Sequence, residues 1–224
     1  MSPGSIVETA PIGLLGGSFD PVHCGHLQLA QDALRSLGLA QIAFIPAGQP
    51  WQKGTITASV HRLRMLELAL PQQAQWRIDP CEIDRDGPSY TVDTLRQMRT
   101  IVGPNCPLVW ILGFDQLSQL HSWHQWERLT EFAHLAYTRR AGGAAKLNTV
   151  MSDFVAARAA DASALRRAAA GAVVEFVMQP VDCSSSQIRR ALSSGQERLA
   201  APFLPEAVLG YIRSQQLYLP VHGQ

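Results

Sequence analysis

Two histidines one helical turn apart, His23 and His26, stand in the string Gly16-Gly17-Ser18-Phe19-Asp20-Pro21-Val22-His23-Cys24-Gly25-His26. Imidazoles at that spacing can address one ligand from the same side, as donors to an anion or as metal ligands. Glycines ahead of them let the backbone approach a phosphate. A helix opening at the histidines adds unpaired N–H groups and the positive end of its dipole. Taken alone, a double glycine is a turn and HxxH is a helix start. A zinc pair would need further ligands, and no cysteine cluster or third spaced ligand accompanies these two. The nucleotide reading rests on the whole string lying between an apolar run, Ile12 to Leu15, and a helical pattern at Leu27, Ala30, Leu34 and Leu37.

A second group is Cys183-Ser184-Ser185-Ser186-Gln187-Ile188-Arg189, with hydroxyls and amides at a helix start and an arginine about one turn in. This suits a polyphosphate, although a plain serine cap would share part of the pattern. Lys53 follows a proline-containing loop and offers a point charge. Asp115 stands just beyond a buried strand, where acidic residues accept from ribose hydroxyls. Of Trp123 and Trp126, the second reads as core and the first as a platform for a flat ring. Cys24 lies between the histidines, where an imidazolium or a helix N-terminus lowers a thiol pKa, but filler is the better reading of it.

These residues need a scaffold. Strand-like runs at Ile42–Ile45, Trp76–Ile83, Pro107–Leu112, His134–Thr138 and Val173–Val177 alternate with helical stretches. The helices are expected at His61–Leu70 (Leu63 and Leu66 inward), Thr91–Ile101, Trp123–Leu129, Asp153–Ala170, Ser184–Leu192 and Pro205–Gln215. The stretch from Arg140 to Lys146 reads as a glycine- and alanine-rich loop. Such alternation predicts an α/β fold, a Rossmann-like doubly wound parallel sheet in a single domain. Residues 1–10 read as a loose tail and 11–224 as the domain. The loops Gly16–His26, Pro46–Lys53, Gly113–Trp126 and Asp182–Arg189 all follow strands, so they are expected to converge at one edge. No GxGxxG occurs, so the usual dinucleotide fingerprint is absent.

Composition sets the frame. A chain of 224 residues, 46% hydrophobic and 17% charged, can bury a sizeable core. A formal net charge of +1 gives no field that would gather nucleic acid or a membrane surface. The 4 cysteines are scattered, which fits a reducing cytoplasm. No secretory leader and no membrane-length apolar run is visible.

At this point the residues match a family. The chain resembles the bacterial nicotinate-nucleotide adenylyltransferases of the HxGH nucleotidyltransferase superfamily along nearly its whole length. Gly16–His26 is similar to the family's GGTFDPxHxGH, with Ser18 for threonine. Ile45–Pro50 is similar to its second-strand loop, and Gly87-Pro88-Ser89-Tyr90-Thr91 with Asp93-Thr94-Leu95 to its GPSYTxDTL. Leu112-Gly113-Phe114-Asp115 with Trp123 resembles LGxD…W, and Ser184–Arg189 resembles SSTxIR with Ser186 for threonine. Tyr211-Ile212 and Leu217-Tyr218 also fit. HxGH alone places only the superfamily; GPSYTxDTL with LGxD…W points to this branch.

The resemblance implies adenylyl transfer from ATP to nicotinate mononucleotide, giving deamido-NAD and pyrophosphate. It implies Mg²⁺ held mainly by ATP phosphates, with no metal site built by the protein. His23, His26 and Arg189 would be catalytic. Gly16, Gly17, Ser18, Phe19, Lys53, Ser184 and Ser186 would bind ATP. Thr91, Asp115, Trp123 and the His124 amide would bind the mononucleotide. One departure is Gln52, in Pro50-Trp51-Gln52-Lys53, where the family often carries histidine. Rival readings are a relative acting on another phosphate, such as a pantetheine-phosphate adenylyltransferase or a glycerol-phosphate cytidylyltransferase, an enzyme preferring the nicotinamide mononucleotide, and a non-catalytic nucleotide sensor. A sensor predicts loss of His26 or Arg189, and both are present.

Overall fold

The computed structural model describes residues 10–49, 56–138 and 146–219. The first half runs β1 (Ile12–Gly17), α1 (Cys24–Ser36), β2 (Gln41–Pro46), α2 (Ser59–Ala69), β3 (Trp76–Ile78), α3 (Thr91–Val102) and β4 (Leu108–Gly113). The second runs α4 (Phe114–Ser118), α5 (Leu129–Phe132), β5 (His134–Thr138), α6 (Thr149–Ala156), β6 (Ala159–Ala160), α7 (Ala164–Arg167), β7 (Val173–Phe176), α8 (Ser185–Ser193), α9 (Glu197–Ala200) and α10 (Glu206–Ser214). Among the described residues the strands form one parallel sheet in the order β3-β2-β1-β4-β5-β7-β6. The chain winds outward from β1 to β3, then returns to place β4 on the other side of β1. That reversal is the switch point of a doubly wound sheet, as the alternating pattern predicts.

Successive side chains on a strand point to opposite faces, and the core obeys this. Leu15, Phe44, Ile111 and Val174 belong to one buried cluster, shared with α1, α2, α8 and α10. Leu14, Ile45, Leu112 and Val173 belong to the other, shared with α3, α4 and α6. Both faces are covered, which is why the strands read as continuous apolar runs.

Four expected elements differ. β3 stops at Ile78, because Pro80 cannot donate to a ladder. In α2 it is Met65, Leu66 and the charged Arg62 that are buried, while Leu63 is only half-buried. Trp123–Leu129 is not one continuous helix: Trp123 is extended (φ −81°, ψ 148°), Gln125 is left-handed, and only a 3-10 turn at Trp126–Arg128 leads into α5. The alanine-rich stretch 153–170 breaks after α6, because Ala159 and Ala160 pair with β7, and only α7 regains helix. Propensity is a weak prior, and an open sheet edge outweighs it. The loose tail falls mainly on residues 1–9 and the loop from Arg140 mainly on 139–145, both outside the described residues. No described helix is long and apolar enough to cross a membrane.

Candidate active site

A cavity of about 540 Å³ opens where β1, β4, β5 and β7 end. Its wall includes Ser18 and Asp20 after β1, Gly113 closing β4 and Asp115 just beyond it, Thr138 closing β5, and Met178 and Pro180 after β7. His23, Gly25 and His26 at the start of α1 face Ser184, Ser185, Ser186 and Arg189 at the start of α8. Loops far apart in sequence thus converge beside the switch point, where such sheets bind ligands. Backbone amides of α1 and α8 supply an electropositive lining.

The histidines build the helix start they occupy. His23 caps α1, its Nδ1 accepting from the Gly25 amide at 3.1 Å. His26 reaches back, its Nδ1 accepting from the His23 amide at 3.3 Å. This is a capping box in which imidazoles stand where serine and glutamate are usual. Helix start and cavity wall are therefore the same object. With each Nδ1 accepting, the proton of each neutral ring sits on Nε2, which sets the tautomer. Phe19, wholly buried, meets the His26 ring edge-on at 5.1 Å and supports it from the core. The thiol of Cys183 lies 3.3 Å from His23 Nδ1.

α8 is tied to the glycine-rich loop. Ser185 Oγ donates to the Pro21 carbonyl at 3.0 Å, and Arg189 Nη1 donates to the Asp20 carbonyl at 2.6 Å. Ser184 caps the helix by accepting from Gln187 N–H. The Asp20 carboxylate accepts from the Tyr218 hydroxyl at 2.6 Å and from the Thr57 amide at 3.3 Å. Burial and Asp20 push the Tyr218 phenol above its ordinary value, so it stays a donor. Arg62, 1% exposed, gives Nη1 to the Ser18 carbonyl and Nε to the Thr57 carbonyl, each at 2.8 Å. Desolvation lowers its pKa, partly offset by Asp20.

A second set of loops lies outside that cavity wall. Tyr90 precedes α3, and its ring meets that of His124 at 4.4 Å with a tilt of 32°. The contact pins the loop after Trp123 to the start of α3, beside Thr91. Trp126 packs edge-on against Phe154 of α6 at 5.1 Å, which agrees with the core reading of Trp126. Ser89 Oγ accepts from the amides of Gly48 and Gln49, so the loop after β2 is locked to the loop before α3. The approach is close: a Cβ on Gly48 would lie 2.0 Å from the Glu82 carbonyl oxygen, which only glycine permits. Burial raises the Glu82 pKa, opposed by hydrogen bonds from Thr94 and Ser89.

The structure therefore brings Ser18, His23, His26, Asp115, Ser184, Ser186 and Arg189 to one cavity. It places Thr91 at the start of α3 and Trp123 and His124 on the neighbouring loop. Gly16, Gly17 and Phe19 do not line the cavity. A Cβ on Gly16 would lie 2.4 Å from the Trp110 ring, so that glycine admits a core tryptophan. Lys53 and Gln52 lie outside the described residues. Burial raises the Cys24 pKa, which agrees with the reading of Cys24 as a filler residue and not with an activated thiol. Sequence reasoning gave no role to Thr138, Arg62 or Tyr218. Asp20, inside the motif, was the available signal for Arg62 and Tyr218.

The fold and site define a nucleotidyltransferase, and the cytidylyltransferase-like family model matches residues 14–191. The probable nicotinate-nucleotide adenylyltransferase of Dechloromonas aromatica is 40% identical over 214 residues, covering 93% of this chain and 97% of its own. That of Aeromonas salmonicida is 41% identical over 211 residues, with the same coverage. The chain belongs to the nicotinate-nucleotide adenylyltransferase family. A solved structure of Plasmodium falciparum nicotinic acid mononucleotide adenylyltransferase complexed with NaAD has the same fold, with a TM-score of 0.74 at 17% identity. It covers 93% of this chain and 97% of that one.

Proposed function

We propose that this cavity binds ATP and that the protein transfers its adenylyl group to nicotinate mononucleotide, releasing pyrophosphate and forming deamido-NAD for NAD biosynthesis. The observation carrying the reading is the paired imidazole cap. Both Nδ1 atoms are occupied by backbone donors, which leaves Nε2–H as the donor each neutral ring offers to phosphate. The mononucleotide phosphate attacks the α-phosphorus in line, one P–O bond forms as the bond to pyrophosphate breaks, and no covalent enzyme intermediate is needed. His26 steadies charge developing on the α-phosphate, and His23 holds the adjoining phosphate oxygens. Ser184, Ser186 and Arg189 take the rest of the triphosphate, with Arg189 as the bidentate-capable cation. Ser18 contributes to the nucleotide cleft, and Asp115 accepts from ribose.

Trp123 stacks the nicotinate ring beside Thr91, and the His124 amide faces the ring carboxylate. Residues 11–224 act as one catalytic domain. Magnesium carried by the ATP phosphates would offset their charge. The Asp20 carboxylate at the cavity wall is already engaged by the Tyr218 hydroxyl and the Thr57 amide, which suits a metal delivered on the nucleotide. The four cysteines are free thiols, in keeping with a reducing cytoplasm.

The test mixes protein, ATP and Mg²⁺ with nicotinate mononucleotide, and in parallel with its amide, then chromatographs for dinucleotide and pyrophosphate. Deamido-NAD formed faster than NAD is expected. Comparable rates would remove the ring-carboxylate role of His124, and no dinucleotide from either would overturn the acceptor assignment.

A further inference from the structure

The last described segment of the chain reaches back to the glycine-rich loop. Tyr218 has a φ of 57°, a left-handed backbone that a residue bearing a ring holds only when its surroundings fix it. Its hydroxyl donates to Asp20, whose residue is 2% exposed. The other carboxylate oxygen faces the Thr57 amide, and the buried Arg62 ties the Thr57 and Ser18 carbonyls together alongside. The same Asp20, through its carbonyl, holds the Arg189 guanidinium that enters the cavity.

We propose that Tyr218 is a positioning residue for polyphosphate binding: by fixing the Asp20 carboxylate it fixes the Asp20 carbonyl that aims Arg189. The identity of the polyphosphate as ATP rests on the function proposed above. The physical reason lies in the cost of an abandoned buried acceptor. Without the hydroxyl, one carboxylate oxygen loses its partner in a site that water hardly reaches. The loop relieves this by turning Asp20 toward water, and its carbonyl moves with it. Arg189 then loses the anchor that orders its side chain, and order in that side chain is what makes it an effective phosphate clamp.

Tyr218→Phe removes only the hydroxyl. Mg-ATP is titrated calorimetrically into wild type and variant with no acceptor present. The expected result is an ATP Kd raised about tenfold, the scale of one hydrogen bond to a charged group, with the KM for nicotinate mononucleotide unchanged. Arg189→Lys alone also weakens ATP, and the double variant loses less than the product of the two factors. Tyr211→Phe is the matched control. It deletes the hydroxyl that bonds His61 Nδ1 at 2.9 Å from the neighbouring helix, and it should leave the ATP Kd as it was. An unchanged Kd in Tyr218→Phe, independent effects in the double variant, or an equal loss in Tyr211→Phe would each overturn the proposal. Because ATP is read without an acceptor, a wrong acceptor assignment leaves this outcome intact. Wild type that binds no ATP would sink the nucleotide reading, and this proposal with it.

Discussion

The rings of His23 and His26 lie 3.8 Å apart, centroid to centroid, tilted by 32°. The Nδ1 of each accepts from a backbone amide of the turn they share, so neither ring can rotate without disturbing the start of α1. His26→Ala should therefore act twice. Loss of a donor to developing charge lowers kcat by about 10²–10³. Loss of its half of the capping box, the bond to the His23 amide, costs about 1 kcal/mol of stability. Steady-state kinetics and a thermal melt read the two separately, and unchanged turnover would refute the role given to His26.

Trp123 is half-buried and extended, held by a loop that the Tyr90–His124 contact anchors. Trp123→Ala is expected to raise the KM for the mononucleotide about tenfold, the worth of one aromatic stack, with the KM for ATP little changed. Equal effects on both substrates would make Trp123 a core residue only.

Glu82 titrates in the opposite sense to most carboxylates. Burial raises its folded pKa above the ordinary 4.5, so the folded state holds its proton more tightly than the unfolded chain. Its stabilising contribution is complete below the ordinary value and is lost as pH rises through the folded one. Thermal midpoints of Glu82→Gln and wild type, compared from pH 4 upward, should shift in favour of the glutamine variant. A constant gap would show that Glu82 does not titrate in this window.

His134 supplies the contrast. Its Nδ1 accepts from the Ala172 amide at 3.0 Å and its Nε2 donates to the Ala168 carbonyl at 2.9 Å, an arrangement made for neutral imidazole. Burial is the main cause of a pKa below the ordinary 6.5. The stability it contributes is present above 6.5 and drains away as pH falls through the folded value. His134→Asn should be less stable at neutral pH and should lose less on acidification. A parallel pH profile would contradict this.

The sheet and the main helices were legible because parallel strands buried on both faces leave unbroken apolar runs between helical patterns. The cavity was legible because many of the residues that line it cluster in short strings, Gly16–His26 and Ser184–Arg189. Arg62 was not, since periodicity assumes that charges face water. It cannot register the carbonyls of Ser18 and Thr57 that make burial tolerable here. The Trp123 loop was misread as helix because spacing of apolar residues does not reveal a left-handed Gln125. Asp153–Ala170 was misread because alanine favours helix only where no sheet edge competes.

The Tyr218–Asp20 bond joins positions 198 residues apart. A ribosome makes the glycine-rich loop and both histidines early, yet the partner that settles Asp20 emerges only after every strand and helix described above. Nascent chains can thus wind the sheet before they own a finished nucleotide cleft. Nucleotide affinity should arrive late in synthesis, as the closing step of folding.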